Sequence, residues 1–174
     1  MFLDRDGTII FDEGYISDST KVALIPGVAN SLRKLSDAGY LLVIITNQSG
    51  IGRNYFTEKE MHSVNNRMLD LLKKEKVFIN KIYFCPHRPE DLCECRKPKP
   101  GLILKAAGEL GINISVSAMV GDKISDVEAG VNAGCGCNFL ISKNKTLSSV
   151  PGFSDSVVIV GSLGEVADIL CSPK

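Results

Sequence analysis

Leu41 to Ile45 is an unbroken apolar run that changes at once into Thr46-Asn47-Gln48-Ser49-Gly50. An apolar run without alternation suits a strand buried on both faces, which is the situation in a parallel sheet covered by helices. Other segments repeat the form. Phe2-Leu3 leads into Asp4, Ile79 to Phe84 into Cys85, and Ala118-Met119-Val120 into Gly121-Asp122. Phe139 to Ile141 and Val157 to Val160 read as two more short strands.

Helical patterns lie between these strands. Val28, Leu32, Leu35 and Ala38 share one face of a helix introduced by Pro26-Gly27 and ended by Gly39. Thr57 and Glu60 form a capping box for a second helix, whose apolar face is Met61, Val64, Met68, Leu71 and Leu72. Helices are expected over Leu102 to Leu110 and Asp126 to Ala133, stopped by Gly111 and Gly134, and from Ser162 through Leu170. Ile9 to Pro26 reads as an irregular flap beyond the first strand, and Ser142 to Ser156 as a polar loop. Alternating strands and helices predict a three-layer, Rossmann-like α/β fold with a central parallel sheet. At 174 residues it is expected to be one domain, residues 1–174.

Lys+Arg and Asp+Glu are both 20, so the net charge is zero. A nucleic-acid binder needs a basic excess, so none is expected, nor is a membrane partner, since no apolar run reaches the length of a span. Asp4 arrives too early for a signal peptide. A cytoplasmic protein, monomeric in solution, is the expectation.

In a parallel sheet, ligands bind beyond the carboxyl ends of the strands. Those ends here carry Asp4 and Asp6, Thr46 and Asn47, and Asp122. Asp4 and Asp122, with the carbonyl of Asp6, make a hard oxygen site suited to Mg²⁺. Next to such an ion, Asp4 suits nucleophilic attack on a phosphoryl group, and Asp6 suits proton transfer to the leaving oxygen. Thr46 offers a hydroxyl to the phosphoryl oxygens. A cation is also required, because phosphoryl transfer rests on positioning and electrostatics; Lys97 is the first candidate and Lys123 the second. Singly, Thr46 reads as a strand end, Lys123 as a surface charge, and Asp126 as a helix N-terminal acid. Acids rather than G-x-G-x-x-G follow the first strand, which argues against a dinucleotide dehydrogenase.

Cys85-Pro86-His87 and Cys93-Glu94-Cys95 offer three thiolates and one imidazole, a set that suits a closed tetrahedral Zn²⁺ site. With four ligands from the chain, such an ion is structural. Cys95 directly precedes Arg96 and Lys97, so a zinc-locked loop, residues 85–97, would fix both cations. Cys135, Cys137 and Cys171 are expected to be packed, reduced thiols, and His62 to lie on a helix surface.

Four motifs occur in order: Phe2-Leu3-Asp4-Arg5-Asp6-Gly7-Thr8, Thr46-Asn47-Gln48-Ser49-Gly50, Arg96-Lys97-Pro98, and Gly121-Asp122-Lys123-x-x-Asp126. Together they resemble the motifs of the haloacid-dehalogenase superfamily of phosphatases over essentially the whole chain. With Asp12-Glu13-Gly14-Tyr15, Tyr55-Phe56-Thr57 and the cysteine loop, the chain is similar to a capless, histidinol-phosphatase-like subgroup.

The resemblance implies a hydrolase with Asp4 as nucleophile, Asp6 as acid/base, and Thr46 and Lys97 on the phosphoryl group. It implies Mg²⁺ on Asp4, Asp6 and Asp122, and Zn²⁺ on Cys85, His87, Cys93 and Cys95. Asp12, Glu13, Gly14, Tyr15, Asn47, Gln48, Ser49, Arg53, Arg96 and Lys123 would face the substrate. That substrate is implied to be a small sugar bisphosphate, a heptose derivative, with histidinol phosphate as the alternative. A zinc-stabilised module without catalysis is a further alternative, disfavoured by five intact catalytic positions. Asn54 departs from the family pattern, standing where a glycine is usual.

Overall fold

The computed structural model describes residues 1–142 and 156–172. Six parallel strands form one sheet in the order β3-β2-β1-β4-β5-β6. They are β1 (Phe2–Leu3), β2 (Val43–Asn47), β3 (Lys81–Cys85), β4 (Ala118–Gly121), β5 (Cys137–Ile141) and β6 (Val157–Val160). The helices are α1 (Val28–Asp37), α2 (Ser49–Gly52), α3 (Glu58–Lys74), α4 (Gly101–Leu110), α5 (Ile124–Ala133) and α6 (Leu163–Cys171). No helix among the described residues is long and apolar enough to cross a membrane.

Strand alternation sorts the core into two layers. Leu3, Ile44 and Val120 face one side, where they join Leu32 and Leu35 of α1, Val64, Met68 and Leu72 of α3, and Val166 of α6. Phe2, Val43, Ile45 and Met119 face the other, against Leu102, Ile103 and Ala106 of α4 and Ala129 of α5. Helices therefore cover both faces, and the strands read as near-continuous apolar runs for that reason. Between β1 and β4 the strand order reverses, and this is where doubly wound sheets open a crevice. β1 pairs with both β2 and β4, so three strand ends stand side by side.

The structure shifts several sequence expectations. β2 begins at Val43 and runs through Asn47, because its ladder with β3 pairs Val43 with Lys81 through to Asn47 with Cys85. Leu41 is left outside and exposed. Ala38, expected on the apolar face of α1, is its exposed C-cap. The short α2 follows β2 at once, a helical turn not among those expected from the sequence. Cys137 opens β5 and is exposed, which corrects the expectation that it is packed; Cys135 and Cys171 are half-buried. His62 is on the surface as expected. Of the predicted loop 142–156, residues 143–155 lie outside the described residues.

The capping box of α3 is present. The Thr57 hydroxyl accepts from the Glu60 N–H at 3.2 Å, and the Glu60 carboxylate accepts from the Thr57 N–H at 2.7 Å. Removing such a cap costs about 1 kcal/mol. Thr57→Ala should lower Tm by about 2–4 °C with catalysis unchanged. A thermal melt with no shift would show that the box carries no weight.

Candidate active site

The acids at the strand ends do not stand alone; one buried lysine holds two of them together. Lys97, 3% exposed, donates to Asp4 Oδ1 at 2.6 Å and to the Ile45 carbonyl at 2.7 Å. Its Nζ is also 2.6 Å from Asp126 Oδ1. All three ammonium protons thus have an acceptor. Burial alone would lower the Lys97 pKa, but the charges of Asp4 and Asp126 outweigh it and raise it. The Asn47 side chain fixes the lysine backbone from both sides, accepting from the Lys97 N–H and donating to the Lys97 carbonyl, each at 3.1 Å. Asp126 does two jobs: one oxygen meets Lys97, and the other accepts from the Lys123 N–H at 3.0 Å as the cap of α5. Helix capping was legible in the sequence, whereas the ion pair depends on the crossover that returns residue 97 to β1.

Asp122 is placed differently. Its Oδ1 is buried and has no hydrogen-bond partner. Burial and the charge of Asp4 push its carboxyl up to about 7. Gly7 makes this approach possible. It has φ +84°, and a Cβ there would lie 2.3 Å from Asp122 Oδ2, so only glycine fits.

Asp6 lines a cleft of about 280 Å³. Gln48 Nε2 donates to Asp6 Oδ2 at 2.9 Å and to the Thr46 hydroxyl at 2.8 Å, joining two of the predicted catalytic groups. Burial raises the Asp6 pKa, against the opposing charge of Arg5. Of the residues expected to face a substrate, Asp12, Gly14, Tyr15, Asn47, Gln48, Ser49, Arg96 and Lys123 line the same cleft. Glu13 and Arg53 do not: Glu13 is exposed, and Arg53 turns to Glu90 at 3.4 Å. The flap is tied across the cleft by Lys123–Asp12 at 2.9 Å and by the Tyr15–Tyr55 ring pair, 4.8 Å between centroids. Asn54 has φ +57°, a glycine-like backbone that asparagine tolerates. A larger cavity of about 360 Å³ lies between the N-terminal ends of α1 and α6; its walls are mostly apolar, which is unsuitable for a doubly charged ester.

The haloacid dehalogenase-like hydrolase profile matches residues 3–134. The chain belongs to that family. It is 42% identical over 156 residues to the D-glycero-beta-D-manno-heptose-1,7-bisphosphate 7-phosphatase of Yersinia pestis, covering 86% of this chain and 83% of the relative. The Helicobacter pylori protein of the same name is 46% identical over 145 residues, covering 83% of each chain. The crystal structure of D,D-heptose 1,7-bisphosphate phosphatase from B. bronchiseptica, complexed with magnesium and phosphate, superposes with TM-score 0.88 at 28% identity. It covers 98% of this chain and 96% of that one. Both relatives being named phosphatases, this hydrolase is a phosphatase.

The haloacid dehalogenase-like site has the donor set for a hard divalent cation. Oxygens of Asp4, Asp122 and Asp126 lie within 4.8 Å of one another. Both Asp126 oxygens are already engaged, so Asp4 and the orphaned Asp122 are the carboxylates that fit a metal. Asp126 and Arg5 are the buried charged residues of this region to which the sequence assigned no role in the site. Asp126 carried a signal in its spacing from Asp122; Arg5 carried none.

The second metal cluster is also assembled. Cys95 Sγ lies 3.1 Å from Cys85 Sγ, 3.4 Å from Cys93 Sγ and 3.3 Å from His87 Nδ1. Tetrahedral Zn–S bonds of about 2.3 Å give edges of about 3.8 Å, so a zinc ion fits with slight expansion. The cluster supports the catalytic loops: the Gln48 N–H donates to the Cys85 carbonyl at 2.7 Å and Gly52 N–H to the Pro86 carbonyl at 3.0 Å. Arg96 Nη1 donates to the His87 carbonyl at 3.3 Å.

Removing Lys97 would leave two buried carboxylates facing each other. Breaking a buried ion pair from one side costs about 3–5 kcal/mol. Lys97→Met should therefore lower Tm by about 10 °C at pH 7, and by less at pH 5, where Asp126, whose pKa burial raises, takes a proton more readily. Melts at both pH values check this; an equal loss at each would refute the electrostatic cause.

Proposed function

We propose that this phosphatase removes the C7 phosphate of D-glycero-D-manno-heptose 1,7-bisphosphate with Mg²⁺, through an aspartyl-phosphate on Asp4. The observation that carries the reading is a buried acid centre next to a cleft lined by Asp6 and by two cations. A paired acid centre, Asp4–Lys97–Asp126, sits at the strand ends, and the cations Arg96 and Lys123 line the cleft. One end suits the phosphoryl group to be transferred. The cations suit a second phosphate that stays on the sugar. The names of the relatives support the same substrate.

Asp4 and Asp122, with the Asp6 carbonyl, would hold the Mg²⁺, which when bound offsets the repulsion between a carboxylate and a phosphate dianion. Lys97 holds Asp4 in place and cancels part of its charge. An Asp4 oxygen attacks phosphorus, and the bond to the C7 oxygen breaks. Asp6, whose pKa burial raises, gives its proton to the leaving alkoxide. Water then attacks the aspartyl-phosphate and gives its proton to Asp6, releasing phosphate and restoring the Asp4 carboxylate. Gln48 keeps the Thr46 hydroxyl beside this exchange. Zinc on Cys85, His87, Cys93 and Cys95 would keep the backbone of Arg96 and Lys97 ordered before substrate arrives. Cysteines committed to a metal rather than to disulfides suit a reducing, cytoplasmic setting.

Phosphate release should be measured side by side on the heptose bisphosphate and on histidinol phosphate. A preference for the heptose of at least about 10-fold, abolished by EDTA and cut by roughly 10³-fold or more in Asp4→Asn, is expected. Preference for histidinol phosphate would overturn the substrate but not the chemistry. Removing zinc from a still-folded sample should raise KM by roughly 10-fold, the cost of ordering two long cationic side chains; unchanged kinetics would refute preorganisation.

The Mg²⁺ affinity should depend on pH with a definite sign. Asp122 holds its proton up to about 7, so the proton competes with the metal below that pH. Affinity should fall by about 10-fold per pH unit on going below 7 and level off above it. Mg²⁺ titrations followed by thermal shift from pH 5.5 to 8.5 would show this; a flat profile would mean that Asp122 is not a ligand.

A further inference from the structure

Arg5 is the largest fully buried side chain among the described residues, and nothing in the phosphoryl chemistry above uses it. A guanidinium 1% exposed is costly to desolvate unless its donors are matched. Here they are matched chiefly by one residue. Arg5 Nε lies 3.2 and 3.1 Å from the two oxygens of Asp6, and Nη2 lies 3.0 Å from each. The remaining arm is anchored far away in sequence: Nη1 donates to Asn65 Oδ1 at 2.7 Å. Asn65 is itself buried on α3, its amide 2.9 Å from the sulfur of Met61.

From this geometry we propose that Arg5 and Asn65 are positioning residues, a buried fork and its anchor that set the direction of the Asp6 carboxylate. The inference rests on Asp6 being the acid and base of the aspartyl-phosphate route. Adjacent residues on an extended segment point to opposite faces, and Arg5 nonetheless returns to grip its neighbour. It does so because Asn65 holds its far end. A carboxylate gripped at both oxygens has one orientation, and Gln48 completes it from the cleft side. Lysine, a point charge with rotatable donors on a flexible stem, cannot replace a rigid two-armed fork. Proton transfer contributes about 10²–10⁴-fold to rate, and that is the contribution misorientation would remove.

The step at stake is specific. With a sugar ester, the P–O bond breaks as the leaving oxygen takes the Asp6 proton. With p-nitrophenyl phosphate, the P–O bond breaks and nitrophenolate leaves as an anion, with no proton needed. In both cases water must then give a proton to Asp6 for the aspartyl-phosphate to hydrolyse. A mispositioned Asp6 therefore lets the first half of the nitrophenyl reaction proceed and stalls the second.

The test uses the full chain with Mg²⁺, and the variants Arg5→Met, Arg5→Lys and Asn65→Leu, with Asp6→Asn as control. Steady-state turnover of the heptose bisphosphate is read beside stopped-flow release of nitrophenolate. Arg5→Met is expected to lose about 10²-fold in kcat on the sugar ester with KM within twofold of the parent. It should also show a nitrophenolate burst near one per enzyme followed by slow release. Asn65→Leu is expected to show the same signature at about 10-fold, and Arg5→Lys no better recovery than that. A folded variant within threefold of the parent on the sugar ester would overturn the proposal. So would equal loss on both esters with no burst, the mark of general damage. Should Arg5→Met not fold, Asn65→Leu decides alone by the same two readings. No burst in the Asp6→Asn control would overturn the aspartyl-phosphate route itself, and this proposal with it.

Discussion

The ion triad of Lys97 with Asp4 and Asp126 is the contact on which the site depends. A buried ammonium is tolerated only when its three protons meet acceptors, and here the acceptors come from the residue after β1, from β2 and from α5. The triad therefore couples three elements that are distant in sequence. Misplacing any one of them would leave a charge unpaired in a dry interior. Asn47 and the cysteine loop serve the same end, since both act on the backbone that carries Lys97.

Charge accounting at the switch point explains the rest. Four carboxylates, Asp4, Asp6, Asp122 and Asp126, gather where β1 and β4 end. Two buried cations answer them, Lys97 for Asp4 and Asp126, and Arg5 for Asp6. With all four acids ionised, that leaves two negative charges, one in the Asp4–Lys97–Asp126 group, where one cation faces two acids, and one on Asp122, whose inner oxygen has no partner. A divalent cation closes the balance, and burial keeps Asp122 protonated up to about 7 until one arrives. The two glycines nearby have the same logic. A Cβ at Gly7 would strike Asp122, and one at Gly121 would lie 2.2 Å from Asp126 Oδ2, so the backbone is bare where the acids converge.

Beyond this acid centre, the cleft wall is made of short loops rather than an inserted domain. Asp12 and Tyr15 are held at the mouth by Lys123 and Tyr55, and Arg96 arrives on the cysteine loop. With the proposed function, such a wall would leave the transferred phosphate deep and the rest of the substrate near solvent, and selectivity would rest on Lys123 and on Arg96, which donates to the His87 carbonyl of the cysteine loop.

Much of this was written in the sequence. Apolar runs that end in polar residues gave the strands and placed the reactive edge, because a sheet covered on both faces admits no alternation. The Thr57 box, the cysteine cluster and the acids at the strand ends were likewise local patterns with local causes. Tertiary structure alone decided the partnerships. Nothing near Arg5 in sequence announces that Asn65, sixty residues on, holds its free arm. Nothing near Asp126 announces Lys97. Arg53 looked like a cleft residue and turns instead to Glu90, because α2 directs it toward the cysteine loop. A sequence specifies which side chains carry charge and which segments must be buried. Which charges meet is settled only by the crossovers that bring strand ends together, since an ion pair is a property of distance and burial, and neither is local in the chain.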